Sequence, residues 1–367
     1  MNADAPIVPD SSSLPHPVDA MALLGVCGWS GSGKTTLLEA AIAALRGKGL
    51  RVAAVKHEAG RIDLDVRGKD SDRLFRAGAD VAVQAGEESL LRLHGPRSRR
   101  LDDVLEFLAA RSDLVLVEGH KSGDLEKVWL AGEGETAPPP EVRRVAAVLT
   151  PGPRRLEMFL QFVEGFLQRR RAELPLLGCV LIGGRSRRMG RPKHLLPAEG
   201  RTWLERTVAV LAARCRQVVL CGEGQVPRPL RRLVRLGDVP DARGPMAGIL
   251  AALRWQPWCS WLVAACDLPE LSGEAVDWLL ATRRPGVWAT LPRLAGAPGL
   301  EPLLAHYDYR SRTLLERLAA GGDFRTQRIA ECDAVISPTP PEALAGAWTN
   351  VNTPDDLRRH AASDARP

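Results

Sequence analysis

Residues 22–49 read ALLGVCGWSGSGKTTLLEAAIAALRGKG. A short apolar run, 22–29, breaks into glycines. It is followed by 35–49, where apolar side chains recur at helical spacing and the pattern ends in glycine. This is a strand, a loop and an amphipathic helix in succession. Within it Gly28, Gly33, Lys34 and Thr35 satisfy G-x-x-x-x-G-K-[ST], in the strand-then-helix context that gives the motif meaning. Glycines let backbone N–H groups turn inward around a phosphate. Lys34 reaches β- and γ-oxygens, Thr35 is placed to hold Mg²⁺, and the helix N-terminus adds partial positive charge. The expected phosphate contacts are Gly31, Ser32, Gly33, Lys34, Thr35 and Thr36.

Outward from this loop, further strands are expected at 51–57 (RVAAVKH), 113–120 (DLVLVEGH) and 142–150 (VRRVAAVLT), with helices between them. The alternation predicts a mostly parallel sheet covered by helices. Ligands of such sheets meet the carboxyl ends of the strands. That rule selects Glu118, at the end of LVLVE, as the metal-side acid in preference to Asp113 at the strand's start. A helical pattern over 158–174 closes this half.

The alternation then restarts. LLGCVLIGGRSRRMGRPK, residues 176–193, is a strand running into a second phosphate loop of another design. It lacks G-K-[ST]. Instead Gly183 and Gly184 end the strand, Arg187 and Arg188 follow within a turn, and Lys193 comes nine residues after Gly184. Such a loop wraps a triphosphate and neutralises the charge of a departing pyrophosphate. Helix is expected at 203–215, 244–256 and 273–284, strand at 217–223, and strand running into a turn at 260–271. Asp267 closes the apolar run WLVAAC at its carboxyl end, a hard oxygen of the kind Mg²⁺ prefers. The fold class is therefore α/β: two three-layer domains, one P-loop NTPase-like and one Rossmann-like, over 21–173 and 174–362. Residues 1–20, rich in Pro, Ser and Asp, form a disordered tail.

A chain of 367 residues suits two domains. The net charge of +6 comes largely from arginine, and the runs 97–100 and 169–171 have no flanking aromatics on which bases could stack. Nucleic acid is not an expected partner. No apolar run reaches the ~18–20 residues of a membrane span, and no basic-then-apolar leader opens the sequence. The seven cysteines form no C-x-x-C pair, which excludes a zinc site or a disulfide framework. All of this points to the cytoplasm.

GWSGSGKTTLLEA, VKH, GKDSDRLFRAGAD and DLVLVEGHK, in that order over 22–170, resemble MobB, the P-loop GTP-binding protein of molybdopterin guanine dinucleotide biosynthesis. One departure is Glu58–Ala59–Gly60 after VKH, where MobB-like chains carry a further histidine. His57 is the histidine left as a possible ligand contact. L-x-G-G-x-S-x-R-M-G-x-x-K, GDVPDARGPMAGILAAL, AACDLPEL, EPLLAHY and TNVNTPDDL, over 174–360, resemble MobA, the molybdenum cofactor guanylyltransferase. The resemblance implies nucleotide contacts at Leu181, Gly183, Gly184, Lys193 and Asp238. It implies catalytic roles for Lys193, Arg188 and Asp267, with Asp267 the magnesium ligand. Asn350 and Asn352 stand at the late N-x-N, facing the metal or pyrophosphate or else serving as turn-forming Asx residues. The whole reads as a MobB–MobA fusion that takes GTP, Mg²⁺ and molybdopterin or the molybdenum cofactor, with molybdoenzymes and molybdenum-insertion proteins as partners of the adaptor half.

Three alternatives stay open. Cys221 stands where the family has a base-contacting Asn, so CTP remains a possible donor. A sugar phosphate is a second possible acceptor, as in fold relatives, though the MobB-like half argues against it. The chain could also act chiefly as a GTP-binding adaptor for cofactor insertion.

Overall fold

The computed structural model describes residues 20–56, 67–92, 100–183, 192–198, 200–351 and 353–358. Its compact units divide at Gly165/Phe166.

The first unit, Met21–Gly165, runs β1 (Leu23–Gly28), α1 (Lys34–Gly47), β2 (Val52–Lys56), α2 (Asp70–Arg76), β3 (Val81–Ala85), β4 (Glu88–Arg92), α3 (Arg100–Ala109), β5 (Leu114–Glu118), β6 (Lys127–Leu130), β7 (Val145–Leu149) and the start of α4 (Arg155–Glu173). Five strands form a parallel sheet in the order β2-β5-β1-β6-β7, and β3 and β4 pair as a separate hairpin. Every residue of β1 is buried, as a parallel strand covered on both faces must be. Helix α1 turns Leu37, Leu38, Ala41 and Leu45 inward.

Strand β6, KVWL, was not expected. Its lysine reads as a surface residue, yet Lys127 is fully buried. Its ammonium donates to the carbonyls of Gly123, Leu125 and Arg143, which offsets the cost of removing the charge from water. Gly25, opposite on β1, leaves room for that side chain: a Cβ there would lie 2.9 Å from Lys127 Cγ.

The second unit contains the rest of α4 and β8 (Leu176–Leu181), a small β9–β10 ribbon (Pro197–Ala198 and Arg201–Thr202), α5 (Trp203–Ala212), β11 (Gln217–Cys221), β12 (Arg235–Leu236), α6 (Pro245–Trp255), β13 (Ser260–Ala265), α7 (Gly273–Ala281), β14 (Ala289–Thr290), β15 (Leu304–Tyr307), α8 (Ser311–Ala320) and β16 (Val335–Ile336). The sheet order is β12-β11-β8-β13-β15-β14-β16. Strands β12, β11, β8 and β13 run parallel, whereas β15 is antiparallel to both β13 and β14. Alternation along β8 feeds two cores. Leu177 and Cys179 join α6 on one face, while Val180 joins α5 and α7 on the other. Helix α5 starts in a capping box, with Glu205 N donating to Thr202 Oγ1 (3.2 Å) and Thr202 N to Glu205 Oε2 (2.7 Å). Chain connections leave β8 in opposite directions, to β11 on one side and β13 on the other, so a crevice opens at its carboxyl end.

Candidate functional site

Two sites result, one at the end of β1 and one at the end of β8.

In the first, the glycines follow from sterics. Gly28 has no space for a side chain, since a Cβ would lie 2.5 Å from Ser32 Oγ and 2.7 Å from Leu130 O. Gly31 and Gly33 take left-handed φ of 77° and 80°. Lys34 folds back on its own loop, donating to Trp29 O (2.7 Å) and Gly28 O (3.3 Å). Parallel pairing of β1 with β5 sets Val26 beside Glu118. From there Glu118 Oε1 accepts from Thr35 Oγ1 at 3.2 Å. The two expected metal-side oxygens therefore meet. Asp113 lies at the opposite end of β5, where its carboxylate accepts from Arg51 N (2.8 Å). Ser32 Oγ is buried without a hydrogen-bond partner among the described residues. Thr36 is exposed on the first turn of α1.

Arg155 was not foreseen as part of this loop. Its guanidinium donates to Ser32 O (2.8 Å), Leu149 O (2.8 Å), Thr150 O (2.9 Å) and Ala131 O. It ties the phosphate loop to the ends of β6 and β7. No local motif marks it, because the loop it holds lies more than a hundred residues upstream.

In the second site, Leu181, Gly183, Lys193, Cys221, Asp238 and Asp267 line one cavity of about 290 Å³. Five separate chain segments supply these six side chains and backbone positions. Lys193 Nζ sits 3.3 Å from Asp267 Oδ2. Val351 N donates to Asp267 O (3.1 Å), so Asn350 is carried beside the acid, and Asn350 Oδ1 is buried without a partner among the described residues. Burial, then the charge of Glu223, raises the Asp238 carboxyl above its usual range. Burial also pushes the Cys266 thiol up to about 12, with Asp267 adding to the shift, so this cysteine is a neutral wall and no nucleophile. Gly248 and Pro245 both line the cavity. A Cβ on Gly248 would come within 2.7 Å of Leu181 Cδ2 and 3.6 Å of Asp238 Oδ1.

Cys221 lines the cavity from the end of β11, and Cys179 Sγ donates to its sulfur at 3.3 Å. His194, absent from the sequence-based set, also lines it and bonds Gln225 O through Nε2 (2.8 Å). Gly184, Arg188, Asn352 and His57 lie outside the described residues.

The donor sets suit magnesium. Thr35 and Glu118 in one site, and Asp267 in the other, present hard oxygens. Among the described residues no three His, Cys, Asp or Glu side chains cluster to hold a metal by themselves. Completion by phosphate oxygens and water is the usual arrangement for this ion. Among the same residues no helix is long and apolar enough to cross a membrane.

Comparison with known proteins follows the same division. The family model described as molybdopterin guanine dinucleotide synthesis protein B matches residues 23–150, and that of the MobA-like NTP transferase domain matches 178–333. The molybdopterin-guanine dinucleotide biosynthesis adapter protein of Escherichia coli is 39% identical over 147 residues, covering 38% of this chain and 83% of that protein. The molybdenum cofactor biosynthesis bifunctional protein of Synechocystis is 32% identical over 190 residues, covering 50% of this chain. That match spans about half of the relative, 53% of its length. A probable molybdenum cofactor guanylyltransferase of Bacillus cereus is 28% identical over 186 residues, covering 49% of this chain and 92% of that protein.

Proposed function

The chain belongs to the molybdopterin guanine dinucleotide synthesis protein B family through its first unit and continues into a MobA-like NTP transferase domain; from this premise we propose that it is a bifunctional molybdenum cofactor biosynthesis protein. The second unit transfers GMP from GTP to molybdopterin or its molybdenum form. The first unit binds GTP as an adaptor toward molybdoenzymes and molybdenum-insertion proteins. Both work in the cytoplasm.

The observation that carries this reading is the convergence of Lys193, Asp238 and Asp267 in one crevice at the switch point of the sheet. In the proposed reaction a terminal phosphate oxygen of the acceptor attacks the α-phosphorus of GTP in line. The bond from the α-phosphorus to the bridging oxygen breaks, and pyrophosphate leaves with the electron pair. A phosphate nucleophile is already ionised at neutral pH, so the crevice needs no general base. Its task is alignment and charge neutralisation. Lys193 and Arg188 offset charge on the departing pyrophosphate, and Leu181, Gly183, Gly184 and Asp238 hold the nucleotide. Asp267, with Asn350 and Asn352, supplies oxygens for Mg²⁺, which when bound would polarise phosphate oxygens. In the first unit Gly31 to Thr36 cradle GTP, and Thr35 and Glu118 hold its Mg²⁺. His57 is a further candidate contact there.

Cys221 favours one second reading. A thiol engaged by Cys179 lines the cavity where the family offers an amide to the base, so CTP is the alternative donor. Pyrophosphate release by the full chain, with Mg²⁺ and molybdopterin, tests both. Release with GTP that is lost in Asp267→Ala and kept in Lys34→Ala is the expected result. Preference for CTP would change the product and keep the chemistry. Release with neither would sink the transferase reading and leave the adaptor.

A further inference from the structure

Trp29, the second residue of the phosphate loop, is 49% exposed, yet several groups converge on it. Trp129 on β6 meets it edge to face, with ring centroids 5.8 Å apart and planes at 89°. Lys121 Nζ lies 4.1 Å from the Trp29 ring centroid and 5.3 Å from that of Trp129. Glu135 accepts from Trp29 Nε1 (2.9 Å) and from Gly132 N (2.8 Å). The Gly132 amide foremost, and the Lys121 charge among lesser causes, hold the Glu135 carboxyl below the usual range. Two indoles at right angles and a nearby carboxylate thus form a cage for an ammonium ion, and a lysine of this chain occupies it.

The backbone shows that Lys121 is brought there by design of the turn. Glu118 ends β5 against Thr35. Gly119 and His120 then take left-handed φ of 88° and 55° in succession. His120 is one of two described non-glycine residues with positive φ, a conformation such residues seldom adopt and one that gathers at functional turns. Cys27 Sγ donates to Gly119 O (2.9 Å) and Gly119 N to Val26 O (3.1 Å), which pins the turn to β1. Three residues past the metal-side acid, the chain has been folded back onto the start of the loop.

Lys34 supplies the direction. Its ammonium, the one that reaches β- and γ-phosphates in such loops, rests on Trp29 O and Gly28 O. Two ammonium groups therefore flank Trp29 at the start of the loop, Lys34 on its carbonyl and Lys121 on its ring.

We propose that Lys121 is a triphosphate-sensing residue of the first site: it packs on Trp29 and Trp129, and it exchanges this cage for the terminal phosphate when a nucleoside triphosphate binds. An ammonium–phosphate contact outweighs a partly exposed cation–π contact, so the exchange runs downhill with a triphosphate. A diphosphate offers nothing to draw the lysine out. The inference rests on the first unit's being a nucleotide site.

The test titrates the full chain with fluorescent GTP and GDP analogues in Mg²⁺, taking as the first site the binding that Lys34→Ala removes. Lys121→Met is expected to weaken the GTP analogue on the order of 10- to 100-fold. Binding of the GDP analogue should stay within about twofold, and Lys121→Arg should restore most of the difference. The Trp29 contribution to fluorescence, identified with Trp29→Phe, should change with GTP and not with GDP, and should stop responding in Lys121→Met. Equal losses for both nucleotides, or none for either, would overturn the role of Lys121 while leaving the site a nucleotide site. Absence of any Lys34-dependent binding in the unaltered chain would overturn both.

Discussion

The two candidate phosphate sites are built with opposite economies of sequence. The first concentrates its contacts in nine consecutive residues, Gly28–Thr36, and borrows Glu118 and Arg155 from elsewhere. The second draws on five separated segments, and its key pair, Lys193 and Asp267, comes from positions 74 apart. A loop that binds through its own backbone needs little from the fold beyond a strand to start from and a helix to run into. A crevice of converging side chains exists only after the sheet has formed. The first suits holding a nucleotide, the second suits aligning two reactants.

The sharpest way to break the comparison is to cross the two key variants. Asp267→Ala should lower kcat for nucleotidyl transfer on the order of 10²–10³-fold, and Lys34→Ala should leave it within about twofold. Equal damage from both would mean that the sites do not divide the work. A smaller contrast is expected between two crowded glycines. Gly28→Ala drives a Cβ to 2.7 Å from the Leu130 carbonyl, a backbone atom that cannot swing aside, so melting of the first unit should register a loss of about 1–3 kcal/mol. Gly248→Ala meets the tip of Leu181 at the same 2.7 Å, and a side-chain tip can shift. Its effect should fall on KM for the nucleotide, with stability nearly unchanged. The smallest effect is acidic. Burial, then Arg283, Arg310 and Arg171, hold the His306 imidazole well below 6.5. The unfolded chain therefore takes up this proton first. The contribution is whole above about pH 6.5 and is lost as pH falls from there toward the folded value, by at most ~1.4 kcal/mol per pH unit for one proton. Melting curves between pH 5 and 8 should show that slope in the second unit, and His306→Gln should flatten it.

The same contrast explains what could be read in advance. The glycine loop, Lys34 and Thr35 were legible because their chemistry is contiguous. Glu118 was chosen because parallel strands present their carboxyl ends to ligands; the structure sets it against Thr35 and sets Asp113 at the far end, on Arg51 N. Cys221, Asp238 and Asp267 were legible by family pattern, and their meeting was not visible until β11, β8 and β13 lay side by side. Arg155, Lys121 and His194 escaped because each acts on a loop far away in sequence. Strand β6 escaped because four residues with a lysine at the head resemble a surface turn. Strand β15 escaped for a similar reason. It carries His306, whose place in the core depends on the Ser260 hydroxyl that bonds its Nε2 at 2.5 Å.

The Lys193–Asp267 pair has a consequence for the order in which ligands arrive. The two charges face each other at 3.3 Å. A nucleotide entering alone attracts Lys193 and leaves Asp267 facing its phosphates. Asp267, were it to hold a divalent cation with no nucleotide present, would leave Lys193 facing that cation. Only their joint arrival leaves neither charge opposed. The pair therefore makes the two affinities interdependent, and because such coupling is reciprocal, each ligand should tighten the other by the same factor. Cutting the pair with Lys193→Met should weaken that synergy even where some nucleotide binding survives.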